Sequence, residues 1–210
     1  MNPMWRVLDT PVLYELNQKN LLTRRLRRII GEYLLSRGGG QNVGVCLDVG
    51  CGTGVYLDVL EGRCFGTDVN VRYMTFLGRR RKRVFASDAT RLGVRSGVID
   101  FVFCISVLHH LDDRRARKML REMWRVCKPG GTVFILDAVY PPSRMDVLGR
   151  LLRQMDRGRY MRERDAFKVM LGEFEAEVGG RLELIDFRSW PHYGTIGIMP
   201  KDSIGDLMAA

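Results

Sequence analysis

The 210-residue chain has no uninterrupted apolar run near the roughly 20 residues that a membrane-spanning helix needs, which excludes a helical transmembrane protein. It has five cysteines, Cys46, Cys51, Cys64, Cys104 and Cys127, and none is spaced C-x-x-C. An odd set of thiols, each inside an apolar or glycine-rich stretch, argues for reduced, packed side chains, so no metal site is expected. The N-terminus lacks a basic stretch leading into an apolar segment, and the expected location is the cytoplasm. Lysine is scarce: 6 of the 34 cationic residues, the other 28 being arginine. Against 24 acidic residues the formal charge is +10, which is a weak pointer to nucleic acid because the arginines are dispersed over helices rather than gathered with aromatics. Length and a 46% hydrophobic content suffice for one buried core.

Residues 12 to 36 carry apolar side chains at helical spacing, with an arginine-rich outer face, and stop at Gly38-Gly39-Gly40. A short apolar strand, Val43 to Val49, then turns at Gly50-Cys51-Gly52-Thr53-Gly54 into a second helical stretch through Leu60. The alternation continues with a strand from Arg63 to Asp68, a helix near Val71 to Arg80 and a strand from Arg83 to Ala86. Further strands are expected from Val98 to Ser106 and from Thr132 to Ala138, separated by a helix ending at Val126 and a turn at Lys128-Pro129-Gly130-Gly131. Alternating strands and helices imply an α/β, doubly wound, mostly parallel sheet across residues 43 to 138. After the fifth strand comes a helical cap at 141 to 162, whose stripe of Met145, Leu148, Leu151, Leu152 and Met155 is expected to rest on the core with arginines in water. A helix at 165 to 175 and a hairpin of strands at 182 to 188 and 194 to 199 complete the expectation.

The glycines at 50, 52 and 54 make the tightest turn in the chain, where a ligand can approach backbone. Asp48 just ahead of the turn would repel a pyrophosphate, and Val55 stands where a dinucleotide site wants its third glycine. An acid there suits a cationic ligand, although it also suits a turn cap, as Asp88 suits a helix N-cap.

The run Leu47-Asp48-Val49-Gly50-Cys51-Gly52-Thr53-Gly54 resembles motif I of the class I S-adenosylmethionine-dependent methyltransferases, in their methyltransferase type 11 or UbiE-like small-molecule group. Asp68, 18 residues after Gly50, Ser87-Asp88-Ala89, the stretch Asp100 to Leu111 and the segment Glu122 to Gly131 resemble the later motifs in order. The resemblance covers residues 45 to 138. It implies a single Rossmann-like methyltransferase domain with a seven-stranded sheet: an N-terminal helical segment (1 to 40), the cofactor core (43 to 138), cap and helix (139 to 175) and a C-terminal hairpin (181 to 200). It implies S-adenosyl-L-methionine as cofactor and S-adenosyl-L-homocysteine as product, held by Asp48, Gly50, Cys51, Gly52, Gly54, Asp68, Val69, Ser87, Asp88, Ala89, Ser106 and His109. Asp68 would accept the ribose hydroxyls and Ser87-Asp88-Ala89 would bind the adenine amino group, while His109 would pack beside the adenosine.

The acceptor is read from what methyl transfer needs, namely alignment, and a base where the nucleophile is a hydroxyl. If the last hairpin returns its loop to the strand-four edge, all three histidines surround one cleft, and His110 and His192 are the candidate catalytic bases. The strand-four end, Ser106-Val107-Leu108-His109, lacks the Pro-Pro-aromatic segment by which amine methyltransferases resemble one another. Tyr14, Arg159, Arg162 and Tyr193 are the candidate substrate-binding residues, the arginines as anchors for a phosphate or carboxylate. The first expectation is O-methylation of a small glycan-, lipid- or secondary-metabolite-type substrate. The alternative partner is tRNA, since Arg95 to Arg115 also resembles the wobble-uridine methyltransferases.

Overall fold

The computed structural model describes residues 24–29, 31–32, 44–58, 63–80, 82–141, 143, 145–154, 158–189 and 192–201. Tyr14, expected at the substrate, and most of the expected first helix lie outside the described residues. Within 24–29 the chain is helical, with Leu26 buried and Arg24, Arg25, Arg27 and Arg28 facing out, as the amphipathic pattern requires. Seven strands hydrogen-bond in the order β3-β2-β1-β4-β5-β7-β6, and the chain forms two compact units, Met1–Ala89 and Thr90–Ala210.

In the first unit β1 (Cys46–Val49), β2 (Cys64–Asp68) and β3 (Val84–Ala86) are parallel, with Cys46 opposite Cys64, Asp48 opposite Gly66 and Asp68 opposite Ala86. All four residues of β1 are buried, so it reads as a continuous apolar run broken only by Asp48. Helix α1 (Val71–Arg79) starts where the Asn70 side chain accepts from the Arg72 amide, and it buries Tyr73, Met74 and Leu77. Among the described residues, 52–58 of the helix expected directly after the glycine turn are successive turns. Gly50, Gly52 and Gly54 hold φ of 78°, 53° and 75°, left-handed values that no right-handed helix propagates.

In the second unit β4 (Ile99–Ile105) and β5 (Cys127–Ala138) are parallel, β7 (His192–Pro200) is antiparallel to β5, and β6 (Glu183–Ser189) is antiparallel to β7. Helix α2 (Asp113–Val126) is capped by Asp112 and buries Ala116, Met119, Leu120, Met123 and Val126 at three- and four-residue spacing. The turn expected at Lys128 to Gly131 is instead absorbed into β5 as an irregularity, with a register shift opposite Ile99 to Phe101. Lys128 Nζ lies 2.9 Å from both Asp100 carboxylate oxygens. Gly131 is required there because a Cβ would lie 2.7 Å from the Asp100 carbonyl oxygen. Glu122 and Arg125 of α2 pin the loop ahead of β4: Glu122 accepts from the Leu92 amide and from Arg125, and Arg125 donates to the Leu92 and Val94 carbonyls.

Two short helices follow, α3 (Val147–Gln154) and α4 (Arg164–Val178), the latter ending at left-handed Gly179 and burying Phe167, Met170, Leu171 and Phe174. The described members of the cap stripe do not rest on the core as expected, for Met145, Leu148 and Leu151 are 88%, 47% and 50% exposed, while the Leu152 side chain and Met155 lie outside the described residues. Polar contacts hold the start of α3 instead: Asp146 accepts from the Gly149 amide, and Arg150 donates to the Pro141 carbonyl and to Glu163. The five cysteines are free and buried. No described helix is long and apolar enough to cross a membrane.

Candidate functional site

The first unit carries a loop built on two carboxylates. Asp48, Gly66 and Asp68 share one face, because strand side chains alternate and Asp48 pairs with Gly66. Asp68 closes β2 and braces the glycine turn, accepting from the Gly52 amide at 3.0 Å and from the Asn70 amide at 2.8 Å. Gly50 and Cys51 donate to the Thr67 carbonyl, which fixes the start of the turn against β2. Asp48 is 1% exposed, and its Oδ2 has no hydrogen-bond partner. Desolvation above all, then the Cys64 thiol and the Asp68 carboxylate, push its carboxyl well above the usual range.

An orphaned buried carboxylate oxygen beside a second carboxylate, with no compensating cation among the described residues, is an electron-rich site that fits a cationic ligand and not a phosphate. Cys51, expected among the cofactor contacts, is a packing residue: it is buried, its thiol is pushed up chiefly by desolvation, and its Sγ fills the space where a Gly66 Cβ would sit. Ser87 follows β3, its amide donating to the Asp68 carbonyl, with Asp88 exposed beside it and Ala89 in a turn. Val69 is 72% exposed. Gly54 makes the same turn tight: its amide donates to the Cys51 carbonyl, and a Cβ would meet Leu57 and Leu77.

The second unit carries a different arrangement at the carboxyl edge of β4 and β5. Ser106 has φ of 57°, the positive value among described non-glycine residues, and its amide donates to the Leu136 carbonyl. This strained corner starts a single 3₁₀ turn, Leu108–His110. His109 is 3% exposed, and its Nδ1 lies 2.5 Å from Asp137 Oδ1 while its amide donates to Asp137 Oδ2 at 3.2 Å. Asp137, itself 1% exposed, also accepts from the Ala138 amide at 2.7 Å. The ring therefore sits against a carboxylate that sequence reasoning did not single out. The available signal was an acid ending the otherwise apolar run Val133-Phe134-Ile135-Leu136.

The chain returning from the cap locks this turn. Tyr160 donates its amide to the His109 carbonyl, and Gly158 packs so closely on the His109 ring that a Cβ would overlap Cδ2. Arg162, expected as a substrate anchor, places five hydrogen bonds instead on the Leu108, Leu111 and Tyr160 carbonyls and on Asp113. One bond for each guanidinium N–H leaves it a bracing role. Arg159 is exposed in the preceding turn. His110 is exposed, its ring centroid 4.3 Å from that of His109. The hairpin tip does return to this edge: Gly194 pairs with Ala138 and His192 with Ser189, the His192 side chain lying outside the described residues. Tyr193 donates its hydroxyl to Asp146 at 2.8 Å.

The methyltransferase-domain family model matches residues 47–135. Over 105 residues the chain is 39% identical to the tRNA (carboxymethyluridine(34)-5-O)-methyltransferase of Arabidopsis thaliana, covering 49% of this chain and 25% of that protein. It is 33% identical over 102 residues to the demethylmenaquinone methyltransferase of Mycolicibacterium vanbaalenii, covering 47% of this chain and 44% of that one. The chain thus spans a quarter to less than half the length of these relatives. A crystal structure of a SAM-dependent methyltransferase from Archaeoglobus fulgidus superposes with a TM-score of 0.69 at 19% identity, covering 90% of this chain and 99% of that chain. With the glycine turn, the strand-end acids and the sheet order in place, residues 47–135 form a methyltransferase domain of the class I S-adenosylmethionine-dependent kind.

Proposed function

We propose that this enzyme methylates the hydroxyl oxygen of a small acceptor, with His109 as the base and Asp137 as the group that orients it. The buried Asp137–His109 pair carries this reading. A carboxylate against Nδ1 favours the tautomer with its proton on Nδ1 and stabilises the imidazolium that forms when Nε2 takes a proton. A carboxylate nucleophile arrives deprotonated and needs no base, whereas an alcohol or phenol does; the pair therefore favours a hydroxyl.

When bound, S-adenosylmethionine supplies an electrophilic methyl group on a sulfonium. Asp48 and Asp68 would hold its cationic and hydroxylated parts, and the glycine turn would admit it to the backbone. In this reading His109 Nε2 takes the proton of the acceptor hydroxyl. His110 and His192, first considered as bases, become flanking groups in this reading.

The test is transfer of labelled methyl from S-adenosylmethionine to a panel of small alcohols and phenols, in wild type and in His109→Gln and His110→Gln. We expect a roughly 100-fold loss of kcat in His109→Gln, unchanged cofactor affinity, and a small change in His110→Gln; equal activity in all three overturns the assignment. A second reading, methylation of an oxygen on tRNA, is favoured by the 39% identity to the Arabidopsis enzyme. It predicts labelled tRNA and salt-sensitive tRNA binding.

A further inference from the structure

His109 and Asp137 stand on different segments, the 3₁₀ turn Leu108–His110 and the end of β5. The hydrogen bond between them fixes a distance and leaves the plane of the ring to other contacts. The turn is a weak frame for that plane. It follows strained Ser106 and closes with bonds from the His110 amide to the Val107 carbonyl and from the Leu111 amide to the Leu108 carbonyl, both 3.0 Å, and a 3₁₀ turn this short has poor hydrogen-bond geometry.

Arg162 reaches both segments. Its backbone forms a parallel bridge with Val139, two residues beyond Asp137, and its carbonyl accepts from the Tyr140 amide at 3.1 Å. Its guanidinium spans the turn from end to end, donating Nη1 to the Leu108 carbonyl and Nη2 to the Leu111 carbonyl, each at 2.9 Å. Nε and Nη2 also close on Asp113, the first residue of α2, at 3.0 and 2.7 Å. The Arg162 side chain is 10% exposed, so these charge-assisted bonds are largely shielded from water. The residues just before it press on the base itself. The Tyr160 amide donates to the His109 carbonyl at 2.9 Å, and a Cβ on Gly158 would lie 2.0 Å from Cδ2, the ring carbon bonded to Nε2.

We infer that Arg162 is the positioning residue of the His109–Asp137 pair: its guanidinium grips the turn that carries the imidazole while its backbone is tied to the strand end that carries the carboxylate, which sets the register of one against the other and the direction of Nε2. This rests on the reading of His109 as the base, and it deepens that reading by assigning the placing of the base to a residue outside the pair. Lysine is no substitute, because three donors on one atom cannot span the Leu108 and Leu111 carbonyls and a carboxylate together.

The test reads the pair itself and needs no acceptor. The proton between His109 Nδ1 and Asp137 is followed in the full chain as a low-field proton resonance, assigned by its loss in His109→Gln. In Arg162→Lys, shown to be folded by a cooperative denaturation curve, we expect that proton to exchange with water at least about tenfold faster than in wild type, since charge-assisted bonds that hold the turn are lost. An unchanged exchange rate overturns the inference, as does absence of the resonance from wild type. Should Arg162→Lys not fold, Asp113→Ala carries the test, for it removes the 75% exposed outer anchor and leaves the guanidinium in place. Exchange about threefold faster is then expected, the factor for an exposed ion pair, and an unchanged rate again overturns the inference. Methyl transfer separates this result from the base assignment. With S-adenosylmethionine affinity unchanged, Arg162→Lys should lower kcat; faster exchange with full kcat removes His109 as the base and leaves Arg162 as the residue that holds the pair.

Discussion

Asp48 in the first unit and Asp137 in the second are both carboxylates at strand ends and both 1% exposed, yet their surroundings are opposite. Asp48 keeps an oxygen with no partner, and its acidic and thiol neighbours oppose its ionisation. Asp137 accepts from the His109 ring, the His109 amide and the Ala138 amide. A buried acid left unsatisfied costs stability and is held for a ligand that completes it; a buried acid saturated by protein donors is part of a prebuilt device. In the proposed reading the first unit's acid is completed by a cation, while the second unit's acid is completed by its own histidine.

The largest effect should come from breaking the saturated side. Asp137→Ala strips three hydrogen bonds from a buried cluster and is expected to destabilise the fold by about 3 kcal/mol, read by chemical denaturation. Asp137→Asn keeps the shape but favours the wrong imidazole tautomer. It should fold, bind cofactor normally and lose kcat by about 100-fold; retention of full activity removes the orienting role.

Breaking the unsatisfied side should act in the other direction. Because the folded-state carboxyl of Asp48 is raised above its unfolded value, its contribution is fully present below the unfolded value and is lost as pH rises through the folded one. Asp48→Asn carries no such penalty, and the free protein is expected to gain about 1 to 2 kcal/mol at neutral pH while its cofactor affinity falls. Thermal denaturation across pH, with calorimetric titration of S-adenosylmethionine, checks both halves. A variant less stable than wild type at neutral pH would mean the carboxylate is satisfied in the free protein.

The smallest effect lies away from both acids. Glu122 is held below the usual carboxylate range first by the Arg125 hydrogen bond, against desolvation, and then by the Leu92 amide and nearby arginine charges. A depressed acid gives stability that is present above its unfolded value and lost as pH falls through the folded one. Glu122→Gln should therefore cost under about 1 kcal/mol at neutral pH and nothing once the wild-type acid is protonated. A constant difference across that acid range would assign the loss to packing instead.

The cofactor half was legible because its signals are local. Three glycines within five residues mark a turn with left-handed backbone, and the acids at the ends of β1 and β2 follow from the short apolar runs that they close. The helical stretch expected through Leu60 is replaced at 52–58 by successive turns, in keeping with the left-handed glycines that precede it. Lys128 to Gly131 read as a turn from composition, and pairing with β4 drew it into a strand. Arginine in the cap read as a grip for an anion, since nothing in its neighbours told that Arg162 would find three carbonyls and Asp113.

By itself the sequence determined the order of the strands, the glycine turn and the strand-end carboxylates, because dihedral limits and short apolar runs act over a few residues. The tertiary structure alone decided which groups meet across 28 residues, as His109 and Asp137 do, or across 49 to 54, as Arg162 does with Asp113 and Leu108. Those meetings are set by sheet register and by the path of the returning chain, and a shift of one residue in β5 would turn Asp137 to the other face and leave His109 without its carboxylate.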